Sequence, residues 1–145
     1  MNAIRRTLLV AAAALLLKPF AALAACSKDA FGAKSAADAL RSLGVSSPAP
    51  SRDIVIEAPQ IAENGAVVPI EIQSNIAGTT ALTVLIEKNP FPLASRVSFM
   101  EGALPFVKLN VKIGETSEVR VVAQAGGRYY TASKEIKVTI GGCGG

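Results

Sequence analysis

The chain has 145 residues, two cysteines and no histidine, and its formal net charge is +4. This length suits one domain. The lack of histidine excludes Ser-His-Asp and Cys-His nucleophiles and histidine metal sites within the chain. The acids are scattered, and no glycine-rich phosphate-binding loop opens a helix. We therefore expect no metal, no cofactor and no catalytic role of the enzyme type.

Residues 1–25 are typical of an export signal. Arg5 and Arg6 precede an uncharged, mostly apolar run, and a small-residue cleavage signal follows at Ala22-Leu23-Ala24. The paired arginines suggest the twin-arginine type. Loss of this leader removes three basic residues and no acid, which lowers the net charge to +1. A mature chain so close to neutral gives no reason to expect a nucleic-acid partner.

A second interpretation of the leader centres on Cys26. The segment Leu23-Ala24-Ala25-Cys26 resembles a bacterial lipobox. Lipidation of Cys26 is the one case in which we expect contact with a membrane. A soluble exported protein is the alternative that we favour.

Residues 26–52 are predicted to form a short helix and a linker. Ser35-Ala36-Ala37-Asp38 matches a capping box, and Gly44 is a helix stop. An extra turn is expected around residues 29–31. The segment 46–51 carries Pro48 and Pro50, which cannot continue a helix.

Residues 53–140 change to the period of two that half-buried strands show. The apolar members of these alternating runs are Ile54 and Ile56; Val68, Ile70 and Ile72; Leu82, Val84 and Ile86; Val107, Leu109, Val111 and Ile113; Val119, Val121 and Ala123; and Ile136, Val138 and Ile140.

The fold predicted from these runs is all-β. About seven short strands without helices between them favour an immunoglobulin-like antiparallel β-sandwich. Asn64-Gly65 and Gly126-Gly127 are turn formers that supply positive φ, and Ala77-Gly78 marks another turn. Pro69 indicates that its strand is an edge or carries a bulge.

The longest stretch without clear alternation runs from Asn89 to Pro105. Phe91 and Phe99 lie in this stretch, and Phe106 follows it. These rings either cap the core or form an exposed patch for a partner. We predict that a partner binds at residues 91–106 together with an exposed strand edge.

The chain ends in Gly141-Gly142-Cys143-Gly144-Gly145. Glycine samples backbone angles that other residues avoid, so residues 141–145 are predicted to form a flexible arm that presents Cys143. No charged residue lies within five positions of Cys143 to lower its pKa, so the thiol suits attachment of a group better than catalysis.

Other roles for Cys143 remain open at this point. The tail is either an arm or a frayed terminus. The thiol could serve only for intermolecular disulfides of a structural module, or it could pair with Cys26. A thiol oxidoreductase is disfavoured, because no second cysteine lies near Cys143.

Three segments together resemble the SoxY family, the sulfur-carrier subunits of the bacterial thiosulfate-oxidising Sox system. They are the terminal Gly-Gly-Cys-Gly-Gly, residues 61–70 (IAENGAVVPI) and residues 87–90 (EKNP). The resemblance implies an Ig-like sandwich whose tail cysteine, matching Cys143, carries the substrate.

The same resemblance implies the partners and the compartment. A SoxZ-like subunit would pair with this chain in the periplasm. The SoxAX cytochrome would couple thiosulfate to the thiol, the dimanganese hydrolase SoxB would release sulfate, and SoxCD would oxidise the remaining sulfur. The chain itself would be a carrier on which these enzymes act.

Overall fold

The computed structural model describes residues 27–139, which form two short helices and nine strands. No helix in that range is long and apolar enough to cross a membrane. The helices are α1 (Lys28–Gly32) and α2 (Ala36–Ser42). The strands are β1 (Ala49–Pro50), β2 (Ile54–Glu57), β3 (Ile61–Ala62), β4 (Val68–Ser74), β5 (Thr79–Ile86), β6 (Leu93–Ser98), β7 (Phe106–Val111), β8 (Ser117–Ala125) and β9 (Arg128–Val138).

The strands form two sheets, as the predicted sandwich requires. The larger sheet has the order β1-β9-β8-β5-β6, with β3 also paired to β9, and the smaller has the order β2-β4-β7. The long strands pair antiparallel, whereas β1 and β3 run parallel to β9. These two parallel pairings were not predicted, because strands of two residues carry no alternation.

The core lies between the two sheets and follows the predicted alternation. The inward side chains of β4, β5 and β8, together with Ile136 of β9, are buried, which excludes water from the centre of the sandwich. Those with no exposed surface include Ile70, Ile72, Leu82, Val84, Val119, Val121 and Ile136.

A second apolar layer covers the outer face of the larger sheet. Leu85, Leu93 and Val122 on that face pack with Ala39 and Leu40 of α2. The sequence pattern placed Val122 among the outward positions, yet it is 2% exposed because the helices cover it. The larger sheet is therefore buried on both faces where the helices cover it, at Leu85, Leu93 and Val122.

The helical segment confirms the predicted cap, and the extra turn expected around residues 29–31 is the short helix α1. Ser35 is the N-cap of α2, and its Oγ accepts a hydrogen bond from the Asp38 amide at 3.1 Å. The Asp38 carboxylate accepts from the Ser35 hydroxyl at 2.7 Å, which differs from the backbone contact of a full capping box. Gly44, with φ of 71°, follows the helix as predicted.

The turns agree with the sequence except at Asn64-Gly65. Gly126 and Gly127 have φ of 56° and 73° in the two-residue loop between β8 and β9, and Gly78 has φ of 72°. The chain does turn at residues 65 and 66, but Gly65 lacks the predicted positive φ; a close backbone approach requires the glycine instead.

Pro69 lies in β4, which is the middle strand of the smaller sheet. However, β2 pairs only with residues 71–74 of β4, so β4 has a partner on one side alone at Pro69. The strand is thus an edge locally, where the missing amide of proline leaves no hydrogen bond unmade.

The stretch from Asn89 to Pro105 contains the strand β6, which was not predicted because this stretch lacks clear alternation. β6 pairs only with β5, and most of its side chains are half-buried or exposed. Phe99 packs against the core, whereas Phe91 and Phe106 are 49% and 40% exposed. Phe99 thus covers the core, as the first interpretation expected, whereas the predicted partner interface at residues 91–106 stays a prediction.

Candidate functional site

The predicted attachment residue, Cys143, lies outside the described residues, as do Cys26 and the glycines Gly141, Gly142, Gly144 and Gly145. The structure does describe the strand that leads to Cys143, as far as Thr139. The candidate site is therefore the end of β9 and the loops that surround it.

The inner face of β9 anchors the strand in the core. Ile136 has no exposed surface, and Val138 packs against the same apolar cluster. Both residues belong to the last of the predicted alternating runs. The third member of that run, Ile140, lies outside the described residues.

The outer edge of β9 is covered by the segment 49–62. β1 pairs with Tyr130 and Thr131, and β3 pairs with Lys137 and Val138. Between these two strands, Lys134 Nζ donates to the Ala58 carbonyl at 2.9 Å. The strand that carries the tail is thus held along its outer edge at both ends.

The last amides of β9 are bonded on alternating sides. The Lys137 amide donates to the Gln60 carbonyl at 3.0 Å and the Thr139 amide to the Ala62 carbonyl at 3.2 Å. The Val138 amide between them donates to Thr116 Oγ1 at 3.0 Å. The chain is therefore fixed as far as Thr139.

Gly65 allows its turn to lie against the loop 112–116. Its carbonyl accepts a hydrogen bond from the Ile113 amide at 2.7 Å. A Cβ at Gly65 would overlap the Ile113 carbonyl oxygen and lie 3.0 Å from Val138 Cγ1. Only glycine fits between this loop and the end of β9.

Asn89 ties the turn after β5 to the same loop. Its Nδ2 donates to the Lys112 carbonyl at 2.7 Å, and its Oδ1 accepts from the Gly114 amide at 3.1 Å. Segments 61–70 and 87–90, which carried the family resemblance, therefore both contact the loop 112–116 beside the end of β9. Sequence reasoning identified these segments but not what they do there.

The role of Thr116 was missed altogether. Its signal in the sequence is weak, because a threonine in a loop between two strands is ordinary. Only the register of β8 and β9, which places Ser117 opposite Ile136, shows that Thr116 lies within reach of Val138.

The shifted pKa values lie away from this end of the sandwich. The Ser35 hydroxyl and then the Arg41 guanidinium lower the pKa of Asp38. The Glu71 carboxylate, whose Oε1 lies 2.5 Å from Lys108 Nζ, raises the pKa of Lys108. Glu115 and Glu118, which flank Thr116 and Ser117, are exposed.

A cavity of about 430 Å³ lies at the opposite end of the sandwich. Thr79, Phe99 and Met100 line it, and Thr79 pairs with Ala125 at the far end of β8. The length of β8 thus separates this cavity from the residue where the tail begins.

Comparison with known proteins identifies the family. The SoxY sulfur oxidation protein model matches residues 40–143. The structure of the sulfur carrier protein SoxY from Chlorobium limicola f thiosulfatophilum is similar, with 38% identity and a TM-score of 0.61 over 66% of this chain and 87% of that chain.

Two superoxide reductase (neelaredoxin) structures from Ignicoccus hospitalis share the fold alone. They are 20% and 21% identical, with TM-scores of 0.53 and 0.54, over 59% and 61% of this chain and 79% and 81% of theirs. A search of curated proteins gave no significant match. Because the family model covers most of the chain and its match runs as far as Cys143, the chain belongs to the SoxY family.

Proposed function

We propose that this protein is a covalent carrier in periplasmic thiosulfate oxidation and that Cys143 holds the intermediates. The observation that carries the proposal is the anchoring of β9, the strand that leads to the tail. β9 is fixed as far as Thr139, and Cys143 follows four residues later, where the family match ends. Family membership and the similarity to a sulfur carrier protein support the same role.

The proposed chemistry begins with an oxidative coupling. The Cys143 thiol and thiosulfate form an S–S bond, and one proton and two electrons leave, the electrons passing to a SoxAX-type cytochrome. Water then attacks the terminal sulfonate in a SoxB-type hydrolase, which releases sulfate and leaves a persulfide on Cys143. A SoxCD-type enzyme oxidises that sulfur before a second hydrolysis.

The chain's own part in this sequence is to hold and present the sulfur. Each enzyme would supply its own catalytic groups, because the chain contains no histidine to activate the thiol. A SoxZ-like subunit is the proposed stable partner. The leader at residues 1–25 supports export, and lipidation at Cys26 would add a membrane anchor.

The test is mass spectrometry of the C-terminal peptide from protein isolated during thiosulfate oxidation. We expect thiosulfonate and persulfide adducts on Cys143, and none after Cys143→Ser. Cys26→Ser is the matched control, and it should keep the adducts on Cys143.

Two results would contradict this function. One is sustained thiosulfate turnover with Cys143→Ser. The other is a tail peptide that shows only disulfide-linked dimers, which would instead favour a structural module joined through its terminal cysteine.

A further inference from the structure

The last residues of β9 are held by a side chain, because the backbone pairing of β9 with β8 stops before them. β8 begins at Ser117, opposite Ile136, and the chain before it turns away toward Gly114. Backbone amides alternate in direction along a strand, so the Val138 amide points to the side where β8 has ended. Thr116 Oγ1 accepts that amide at 3.0 Å and takes the place of the missing backbone carbonyl.

Thr116 is itself held in a supported position. It is half-buried, and its neighbours Ile113 and Ser117 are buried. The Ser117 hydroxyl accepts the Lys88 amide at 3.1 Å, and the Ile113 amide donates to the Gly65 carbonyl. The acceptor that receives Val138 is therefore fixed by two neighbouring turns.

We propose that Thr116 is a positioning residue that fixes the point from which the tail leaves the sandwich and so limits how far Cys143 reaches. Cys143 lies four residues beyond Thr139, the last bonded position that the structure describes, so its reach from there is at most about 14 Å. This inference rests on the proposed function for its biological meaning, but its geometry is testable without sulfur chemistry.

Loss of the Thr116 acceptor moves the last bonded position of β9 back along the strand. Without Thr116 Oγ1 the Val138 amide has no partner on that side, and on the other side the bond from Thr139 to Ala62 is the last among the described residues. Release of both residues moves the last fixed position back to Lys137, and the reach becomes about 20 Å. The effective concentration of the thiol at a docked active site then falls about twofold.

The test compares Thr116→Val, which keeps the shape and removes the acceptor, with Thr116→Ser, which keeps the acceptor. Thr80→Val is the matched control, since the Thr80 hydroxyl also bonds a backbone partner, the Gln124 carbonyl, but near the opposite end of β8. Thr116→Ala replaces Thr116→Val if the latter does not fold.

The first measurement is amide hydrogen exchange in the full chain. We expect exchange at Val138 and Thr139 to rise about five- to tenfold in Thr116→Val, with no change in Thr116→Ser or Thr80→Val. Equal exchange in Thr116→Val and the unsubstituted protein overturns the proposal.

The second measurement is the reach itself, in a Cys26→Ser background with a nitroxide on Cys143. In the protein with Thr116, the nitroxide should weaken the NMR signals of amides near the end of β9, such as those of Gly65 and Gly114. In Thr116→Val the weakened signals should extend further along the sandwich. If exchange rises but this footprint stays the same, Thr116 does not set the reach and the proposal fails.

The carrier function is tested separately by the adducts on Cys143. Where a loading enzyme of the Sox type is used, Thr116→Val should lower kcat/KM about twofold. The rate with a small thiol reagent should stay the same, because that reagent needs no fixed reach. A tail without sulfur adducts would refute the carrier while leaving the exchange and footprint results intact.

Discussion

At the scale of single residues, Gly65 is the position near the end of β9 that tolerates substitution least. Its missing side chain lets the turn lie against the Ile113 carbonyl and the Val138 side chain. The obstacle to a Cβ is a backbone oxygen, so relief requires movement of the chain itself. Such a movement would disturb the loop 112–116 that also holds Asn89 and Thr116.

We therefore expect Gly65→Ala to lower the free energy of unfolding by about 1–3 kcal/mol, as overpacked sites do. Denaturant unfolding measures the loss. Gly32→Ala is the matched control: no atom lies within 4 Å of an added Cβ, and its helical position makes a small gain of about 0.5–1 kcal/mol the expected result. An unchanged stability in Gly65→Ala would show that the loop 112–116 adapts freely.

The need for glycine at position 65 could be predicted from the sequence, but its reason could not. Asn64-Gly65 indicates a turn with positive φ, because that is the local cause of glycine in turns. The actual cause is contact with Ile113, a residue 48 positions later. Long-range approaches of this kind leave no local pattern, and the same holds for the pairing of Thr116 with Val138.

At the scale of elements, α2 begins with an exposed polar network at Ser35, Asp38 and Arg41. The lowered pKa of Asp38 comes first from the Ser35 hydroxyl and then from Arg41. A carboxyl whose folded pKa lies below its unfolded value of 3.8 stabilises the fold above that pH and loses this contribution as the pH falls.

As the pH falls from neutral to well below 3.8, we expect the free energy of unfolding to decrease less in Asp38→Asn than in the unsubstituted protein. Because both side chains are exposed, the effect is small and weakens with added salt. Denaturant unfolding at a series of pH values measures it, with Asp53→Asn as the control, since the exposed Asp53 carboxylate forms no ion pair within the described residues. Parallel curves for Asp38→Asn and the unsubstituted protein would contradict the expectation.

The strands show which elements a sequence pattern can predict. β4, β5 and β8 alternate because one face of each packs against the core, and their positions follow from that alternation. β6 has no such contrast, since it is an edge strand with mostly half-buried side chains. β1 and β3 are held by backbone pairing to β9, and such pairing leaves no periodic pattern of apolar side chains in the sequence.

At the scale of the whole molecule, the protein has two apolar layers. One lies between the sheets, and the other lies between the larger sheet and the helices. Leu85 belongs to the second layer and has no exposed surface, although it faces outward from the sandwich. The helices are therefore part of the folded unit.

We expect Leu85→Ala to lower the free energy of unfolding by about 2–5 kcal/mol, because it leaves a cavity beneath the helices. Leu104→Ala is the matched control, since Leu104 is 69% exposed and its loss should cost less than about 0.5 kcal/mol. Thermal or denaturant unfolding distinguishes them. Similar, small losses in both variants would mean that the helices contribute little to the fold.

The pairing along both edges of β9 has a mechanical consequence when the chain beyond Thr139 is pulled. β8 pairs with one side of β9, and β1 and β3 pair with the two ends of the other side. A force applied along the tail runs parallel to these strands, so it loads many perpendicular hydrogen bonds at once in shear. The strand therefore resists extraction far better than it would if its bonds were pulled apart one by one.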